Sequence, residues 1–328
     1  MSVDFNSVIL DVKDLQVQFR VGKHSYVTAV QGVSFKVHKE ETLCIVGESG
    51  CGKSVTANTV MRLLNKQTSR IAEGEILLHG KDIVKMNDKE IKQVRGNEIS
   101  MIFQEPMTSL NPVYRIGDQL IEMIRAHDKK ISKKEAWAKA LAMLEKVGIP
   151  SPEERMRSFP HQLSGGMRQR VMIAMALSAN PAILIADEPT TALDVTIQAQ
   201  VLELMRALQK EMGTSVILIT HDMGVVAEMA DTVMVMYAGE VVEYASAKEL
   251  FESPKHPYTQ GLLESLTRAD MDMEEIPSIK GSVPSLENMP SGCRFSNRCP
   301  YSCEQCVKEH PEIIQSENGR MVRCHRVK

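Results

Sequence analysis

The sequence predicts an α/β protein: a parallel sheet built round a phosphate-binding loop. An N-terminal antiparallel β-subdomain precedes the loop, an α-helical subdomain is inserted after it, and a small cysteine-rich C-terminal extension follows. Three observations predict this. Residues 47–54 read GESGCGKS, which fits G-x-x-x-x-G-K-[ST], between an apolar run at 42–46 and a helical stretch from Lys53 to about Leu64. Two more apolar runs, at 183–186 and 215–220, end in Asp187-Glu188 and in His221, as buried strands do where their carboxyl ends face a ligand. Five of the seven cysteines crowd between Cys293 and Cys324.

Residues 1–40 read as antiparallel strands. Val8, Leu10 and Val12 alternate with other residues, as do Val33, Phe35 and Val37, with Gly22 and Gly32 as breakers. Phe19 and Tyr26 are candidates to stack on an adenine, and Phe19 reads equally well as a core aromatic. In the phosphate loop the glycines let successive N–H groups turn inward on an anion. Lys53 adds a point charge for β- and γ-phosphates, the Ser54 hydroxyl suits Mg²⁺, and the following helix brings the positive end of its dipole.

A short strand is expected between Gly74 and Gly80, and another apolar run, 99–103, ends at Gln104. Residues 112–159 read as mostly helical, with Ala136, Ala140, Met143, Leu144 and Val147 on one face and Lys129, Lys130, Lys133 and Lys134 as its solvated side. In LSGGMRQR at 163–170, Ser164 is a natural N-cap, and Gly165 and Gly166 open a helix: a second anion site in kind, though a flexible turn also explains it. Asp187 suits a Mg²⁺-bound water and Glu188 the orientation of an attacking water. Asp194 caps a helix that stops at Gly213.

Composition excludes some functions. Net charge is −3 and aromatics make up 4%, which argues against a nucleic-acid surface or stacking platform. The first ten residues carry no signal-peptide pattern, and no run approaches the roughly 18 apolar residues that span a bilayer, so the expectation is a cytoplasmic protein.

In their order and separations these motifs resemble those of the nucleotide-binding subunits of ATP-binding-cassette (ABC) transporters, a P-loop NTPase family. The match runs from about residue 8 to 255. It joins the phosphate loop, the glutamine loop at Gln104, the signature at 163–167, the Asp187/Glu188 strand end, the loop at 192–194 and the switch histidine His221. Met167 stands where many members carry Gln. FQEPMTSLN at 103–111, HPYT at 256–259 and the tail beginning Gly292-Cys-Arg-Phe are similar to the dipeptide/oligopeptide importer subfamily, which includes nickel and other small-solute importers.

The resemblance implies a cassette over 1–255, with a helical subdomain at about 105–165, and a transporter extension over 256–328. It implies that Ser49, Gly50, Cys51, Gly52, Lys53, Ser54 and Val55 hold the phosphates of ATP, with Ser54, Gln104 and Asp187 around Mg²⁺. Glu188 acts as general base or water positioner, and His221 contacts the γ-phosphate. Ser164, Gly165, Gly166 and Asp194 serve an ATP held by a second ATPase subunit, expected as a heterodimer. Two membrane permeases and an extracytoplasmic solute-binding protein complete the assembly at the cytoplasmic face of the membrane.

From residue 253 prolines break up the chain, and residues 270–275 form an acidic linker. Related tails carry a [4Fe–4S] cluster, and the resemblance assigns Cys293, Cys299, Cys306 and Cys324 to it, leaving Cys303 as an extra. The residues alone also permit tetrahedral zinc, with His325 as a possible ligand, or no metal. A nickel importer ATPase and a soluble ABC ATPase are the alternative functions. The second is disfavoured by one cassette and no sustained heptads.

Overall fold

The computed structural model describes residues 4–23, 25–104, 109–191, 193–267 and 279–327. The chain divides into two compact units, residues 1–85 with 219–328, and residues 86–218.

The first unit begins with β1 (Asp4–Arg20) and β2 (Tyr26–Lys39), an antiparallel pair in which Leu10 faces Val37 and Val12 faces Phe35. All four side chains are buried. Gly32 does not break the strand as its sequence suggests. Pairing moves from Val17↔Val30 to Leu15↔Val33, and Gly32, at φ 60°, absorbs the extra residue as a bulge. The short strand β3 (Thr42–Val46) is buried along its whole length and feeds the phosphate loop and α1 (Lys53–Val60). This helix stops before the predicted Leu64, because Arg62 turns left-handed at φ 50° and Leu63 N–H bonds back to Asn58 O. Strand β4 (Ser69–Leu78) is longer than predicted, running through Gly74, and it completes a sheet of order β2-β1-β4-β5 with β5 (Lys81–Asp82). At Gly74 a Cβ would sit 2.6 Å from Lys13 O, so glycine lets β1 and β4 approach.

The second unit holds α2 (Asp88–Val94), β6 (Ile99–Ile102), α3 (Ile116–His127), α4 (Lys133–Lys146), α5 (Pro152–Arg157), α6 (Gly165–Leu177), β7 (Ile183–Asp187) and α7 (Val195–Met212). Strand β8 (Ser215–Thr220) carries the chain back across the division, which falls between Leu218 and Ile219. β6 and β7 run parallel, in the order β8-β7-β6. Their apolar runs are buried on both faces, as parallel strands require. Helix α4 starts at a capping box between Ser132 and Glu135 and buries Ala136, Ala140, Met143 and Leu144. The four lysines of its flank are exposed. Helix α7 ends at Gly213 in the left-handed conformation.

Back in the first unit come α8 (Met223–Met229), β9 (Thr232–Tyr237), β10 (Glu240–Ser246), α9 (Ala247–Glu252), α10 (Pro257–Thr267), α11 (Glu304–Lys308), β11 (Ile314–Gln315) and β12 (Met321–Val322). The order is β11-β12-β10-β9-β3, with β9 parallel to β3. Two buried carboxylates on β10 anchor the C-terminal residues. Glu240 meets Arg294 at 3.1 Å and His310 at 2.9 Å, while Glu243 pairs with Arg320 and accepts the N–H of His256 at 2.9 Å. Each is nearly solvent-free, so removing a partner would strand a buried charge. The acidic linker at 270–275 lies outside the described residues. Among the described residues no helix is long and apolar enough to cross a membrane.

Candidate active site

In the first unit the phosphate loop is a wound and braced turn. Gly47, Gly50 and Gly52 adopt φ of 149°, 79° and 102°, a region that L side chains resist. A Cβ on Gly47 would stand 2.2 Å from Met236 O at the end of β9. Lys53 is buried and its ammonium donates to Gly47 O at 2.7 Å and Glu48 O at 3.0 Å, which fixes the charge over the loop. Cys51 N–H closes the turn on Glu48 O at 3.3 Å, and Gly239 N–H donates to Cys51 O at 2.9 Å. Ser49 and Gly50 are exposed at the lip. Ser54 and Val55 open α1, half-buried, so its first N–H groups point the way the loop does. Burial pushes the Cys51 thiol up, so it packs as a neutral group beneath the turn.

Phe19 lies half-buried on β1 opposite Val27, and the Arg70 guanidinium covers one face of Tyr26 at 4.0 Å. His221 follows β8 and is exposed, and Asp222 next to it caps α8 by accepting from Gly224 N–H at 2.8 Å.

In the second unit the carboxyl ends of β6 and β7 bring Gln104 and Glu188 together. Gln104 Nε2 donates to Glu188 Oε2 at 2.9 Å, and Thr191 Oγ1 donates to the same oxygen at 3.0 Å. Glu188 sits at φ 46°, an unusual conformation for a residue with a side chain. Asp187 beside it is 4% exposed. Ser164 accepts Met167 N–H at 3.3 Å and is solvent-exposed with Gly165 at the start of α6. Asp194 caps α7 by accepting Ile197 N–H at 2.9 Å.

The C-terminal cysteines are all free thiols. Cys293 N–H donates to Cys306 O at 2.7 Å, and Cys303 Sγ lies 3.5 Å from Cys306 Sγ. Burial pushes the Cys293 thiol up to about 11, with further push from Cys306, Cys324 and Cys299. Burial likewise raises Cys299, with Cys324 and Cys306 adding to it. Cys303, held by the Cys306 N–H, is shifted down instead. Among the described residues no group of three or more His, Cys, Asp or Glu side chains is set to hold a metal ion.

Two residues escaped sequence reasoning. Tyr258 Oη accepts Glu48 N–H at 2.8 Å, and Arg298 grips the Glu48 carboxylate at 2.7 and 3.0 Å. They lie 210 and 250 positions from Glu48, and no periodicity links such distances. HPYT was visible as a motif; its role was not.

Family comparisons settle the lineage. Residues 30–191 match the family described as ABC transporter, and residues 242–306 match the oligopeptide/dipeptide transporter, C-terminal region. The oligopeptide transport ATP-binding protein AppD of Bacillus subtilis (strain 168) is 51% identical over 97% of this chain and 96% of its own. The chain belongs to the ABC transporter family, in its oligopeptide/dipeptide branch. The dipeptide transport ATP-binding protein DppD of the same organism is also 51% identical, over 96% of this cassette protein and 94% of its own length. Among solved structures, the cassette MJ0796, described as a dimer in a post-hydrolysis state bound to ADP and Pi, aligns with a TM-score of 0.64 at 28% identity. It covers 73% of this chain and 98% of its own. The fold is thus the ABC ATPase cassette, and the subunit is an ATP-hydrolysing one.

Proposed function

We propose that this chain is the ATPase subunit of a dipeptide/oligopeptide importer. It would act as a peripheral subunit at the cytoplasmic face of the membrane, beside two permeases served by an extracytoplasmic solute-binding protein. A second, similar ATPase would complete a heterodimer. The observation that carries this reading is identity with peptide transport ATP-binding proteins across nearly the whole chain, C-terminal region included. Residues 1–255 would form the cassette, with the helical subdomain at about 105–165, and 256–328 the extension.

In the mechanism Lys53 and the N–H groups of residues 49–55 hold the phosphates of ATP. Phe19 and Tyr26 are the aromatics for the adenine, Tyr26 on the ring face opposite Arg70. Ser54, Gln104 and Asp187 would hold Mg²⁺, which neutralises charge on the β- and γ-oxygens. Glu188, already oriented by Gln104 and Thr191, takes or aligns a proton of the attacking water, and His221 contacts the γ-phosphate. Ser164, Gly165, Gly166 and Asp194 serve the ATP of the other subunit, so losing the γ-phosphate loosens the pair. Catalysis is positioning and charge stabilisation, with no covalent intermediate.

Cys293, Cys299, Cys306 and Cys324 would hold a [4Fe–4S] cluster. Burial first, and neighbouring cysteines after it, raise the Cys293, Cys299 and Cys306 thiols, and a bound metal charge would offset that cost. Bound there, the cluster would keep this sparsely apolar extension folded.

The test is deletion of the gene followed by uptake of labelled peptides, with complementation by wild type and by Glu188→Gln. Peptide uptake should vanish and return with wild type only. Uptake that persists, or that returns with Glu188→Gln, contradicts the reading. Purified anaerobically, the protein should absorb broadly in the visible and bleach on reduction; a colourless protein containing zinc would remove the cluster.

A further inference from the structure

We infer that Arg298 is a positioning residue for the phosphate loop, by which the cysteine-bearing extension sets the affinity for nucleotide. The inference rests on the loop being the ATP site.

Glu48, the second residue of the loop, is held at three points. Its N–H donates to Tyr258 Oη at 2.8 Å, its carbonyl accepts from Lys53 Nζ at 3.0 Å, and its carboxylate takes two hydrogen bonds from Arg298. Glu48 and Lys53 therefore share one backbone segment, and whatever fixes the first also fixes the ammonium of the second. The guanidinium is itself well fixed. Its side chain is 6% exposed, against 29% for Glu48, and it donates to Lys280 O and Ile279 O at 3.0 Å each. A bidentate guanidinium–carboxylate pair with the arginine this buried is a directional clamp rather than a surface ion pair.

The clamp stands on an aromatic cluster. Tyr237, Tyr258 and Phe295 meet edge to face, with centroids 4.8, 5.1 and 5.4 Å apart. Tyr258 reaches the loop directly, and Phe295 comes from the same turn as Arg298. That turn is closed by Arg298 N–H and Cys299 N–H, both donating to Phe295 O at 3.0 Å, and by Ser296 N–H donating to Cys293 O at 3.0 Å. Cys293 and Cys299 thus bracket the segment that carries the clamp. A second arginine of that segment, Arg294, donates to Ala238 O in the β9–β10 turn, whose Gly239 N–H bonds Cys51 O of the loop. Two arginines next to two cysteines therefore bear on one phosphate loop, Arg298 directly and Arg294 through the β9–β10 turn. By linkage, an extension that favours the nucleotide-binding form of the loop is itself stabilised by nucleotide.

The experiment is an equilibrium titration of the full chain with ATP in Mg²⁺ buffer, by calorimetry, for wild type, Arg298→Ala, Arg298→Lys, Glu48→Gln and Glu48→Gln/Arg298→Ala. Lys53→Ala serves as reference. Arg298→Ala should weaken binding about five- to tenfold, with Arg298→Lys partly restored because an ammonium makes no fork. In the Glu48→Gln background the arginine substitution should add less than about twofold, since its route to the loop is already cut. Turnover of the assembled transporter should show a raised KM with kcat nearly unchanged. Unchanged affinity in Arg298→Ala, an equal effect in the Glu48→Gln background, or a lower active fraction at wild-type affinity would each overturn the inference. Failure of the underlying reading looks different: wild type then binds no ATP, or Lys53→Ala binds as well as wild type. Should Arg298→Ala fold poorly, hydrogen exchange of wild-type residues 293–299 with and without ATP decides, with slowing expected and no change contradicting it.

Discussion

The chain has two glycine-rich helix starts, and they are built in opposite ways. The phosphate loop is wound through three left-handed glycines, with Lys53 buried and bonded to the loop's own carbonyls. The signature start at α6 has ordinary helical glycines, an exposed Ser164 and Gly165, and one cap bond to Met167 N–H. The first is preorganised from within its own chain. The second is exposed to solvent, and under the proposed function it is a half-site whose ligand belongs to another subunit. Anion binding at a helix start needs only its leading N–H groups; holding the anion in one pose needs the bracing round the first.

Substitutions can separate the two. The largest effect belongs to Glu188→Gln, which should cut hydrolysis by at least about a hundredfold while leaving ATP binding intact, measured as phosphate release beside a binding titration. Equal loss of both would mean that Glu188 acts on the loop instead. Next is Gly47→Ala, which meets both a hostile φ and Met236 O and should cost about 2–4 kcal/mol in urea unfolding. Gly165→Ala supplies the contrast. Among the described residues its Cβ would meet Leu193 alone, at 3.9 Å, so stability should stay within about 0.5 kcal/mol, yet turnover of the assembled transporter should fall. If Gly165→Ala unfolds the chain as readily as Gly47→Ala, the distinction between the two starts is lost.

The bracing side also titrates. Burial holds the His256 imidazole down to about 3, from an ordinary value of 6.5, and its Nδ1 accepts Tyr258 N–H at 3.0 Å. Between those values the unfolded chain binds a proton that the fold refuses. Stability is therefore full above about pH 6.5 and falls as pH drops toward 3. The urea midpoint should be lower at about pH 5 than at about pH 7.5, and His256→Gln should flatten that part of the slope.

What was legible in the sequence follows from range. The phosphate loop, the strand end at Asp187-Glu188 and the cap at Ser164 are each written in fewer than ten consecutive residues, where glycine placement and apolar runs state the backbone directly. The α4 face was legible because helical spacing is local. Gly32 was misread for the same reason that glycines are informative: a bulge and a break use the same residue, and only the register of the partner strand tells them apart. The link from Glu48 to Tyr258 and Arg298 was illegible because it is tertiary, joining a loop to side chains more than 200 positions away.

The most direct test of the two-start account is an equilibrium ATP titration of the isolated full chain as Lys53→Ala and as Ser164→Ala. The account predicts that binding is lost in the first and unchanged in the second. Loss in both, or in neither, would contradict it.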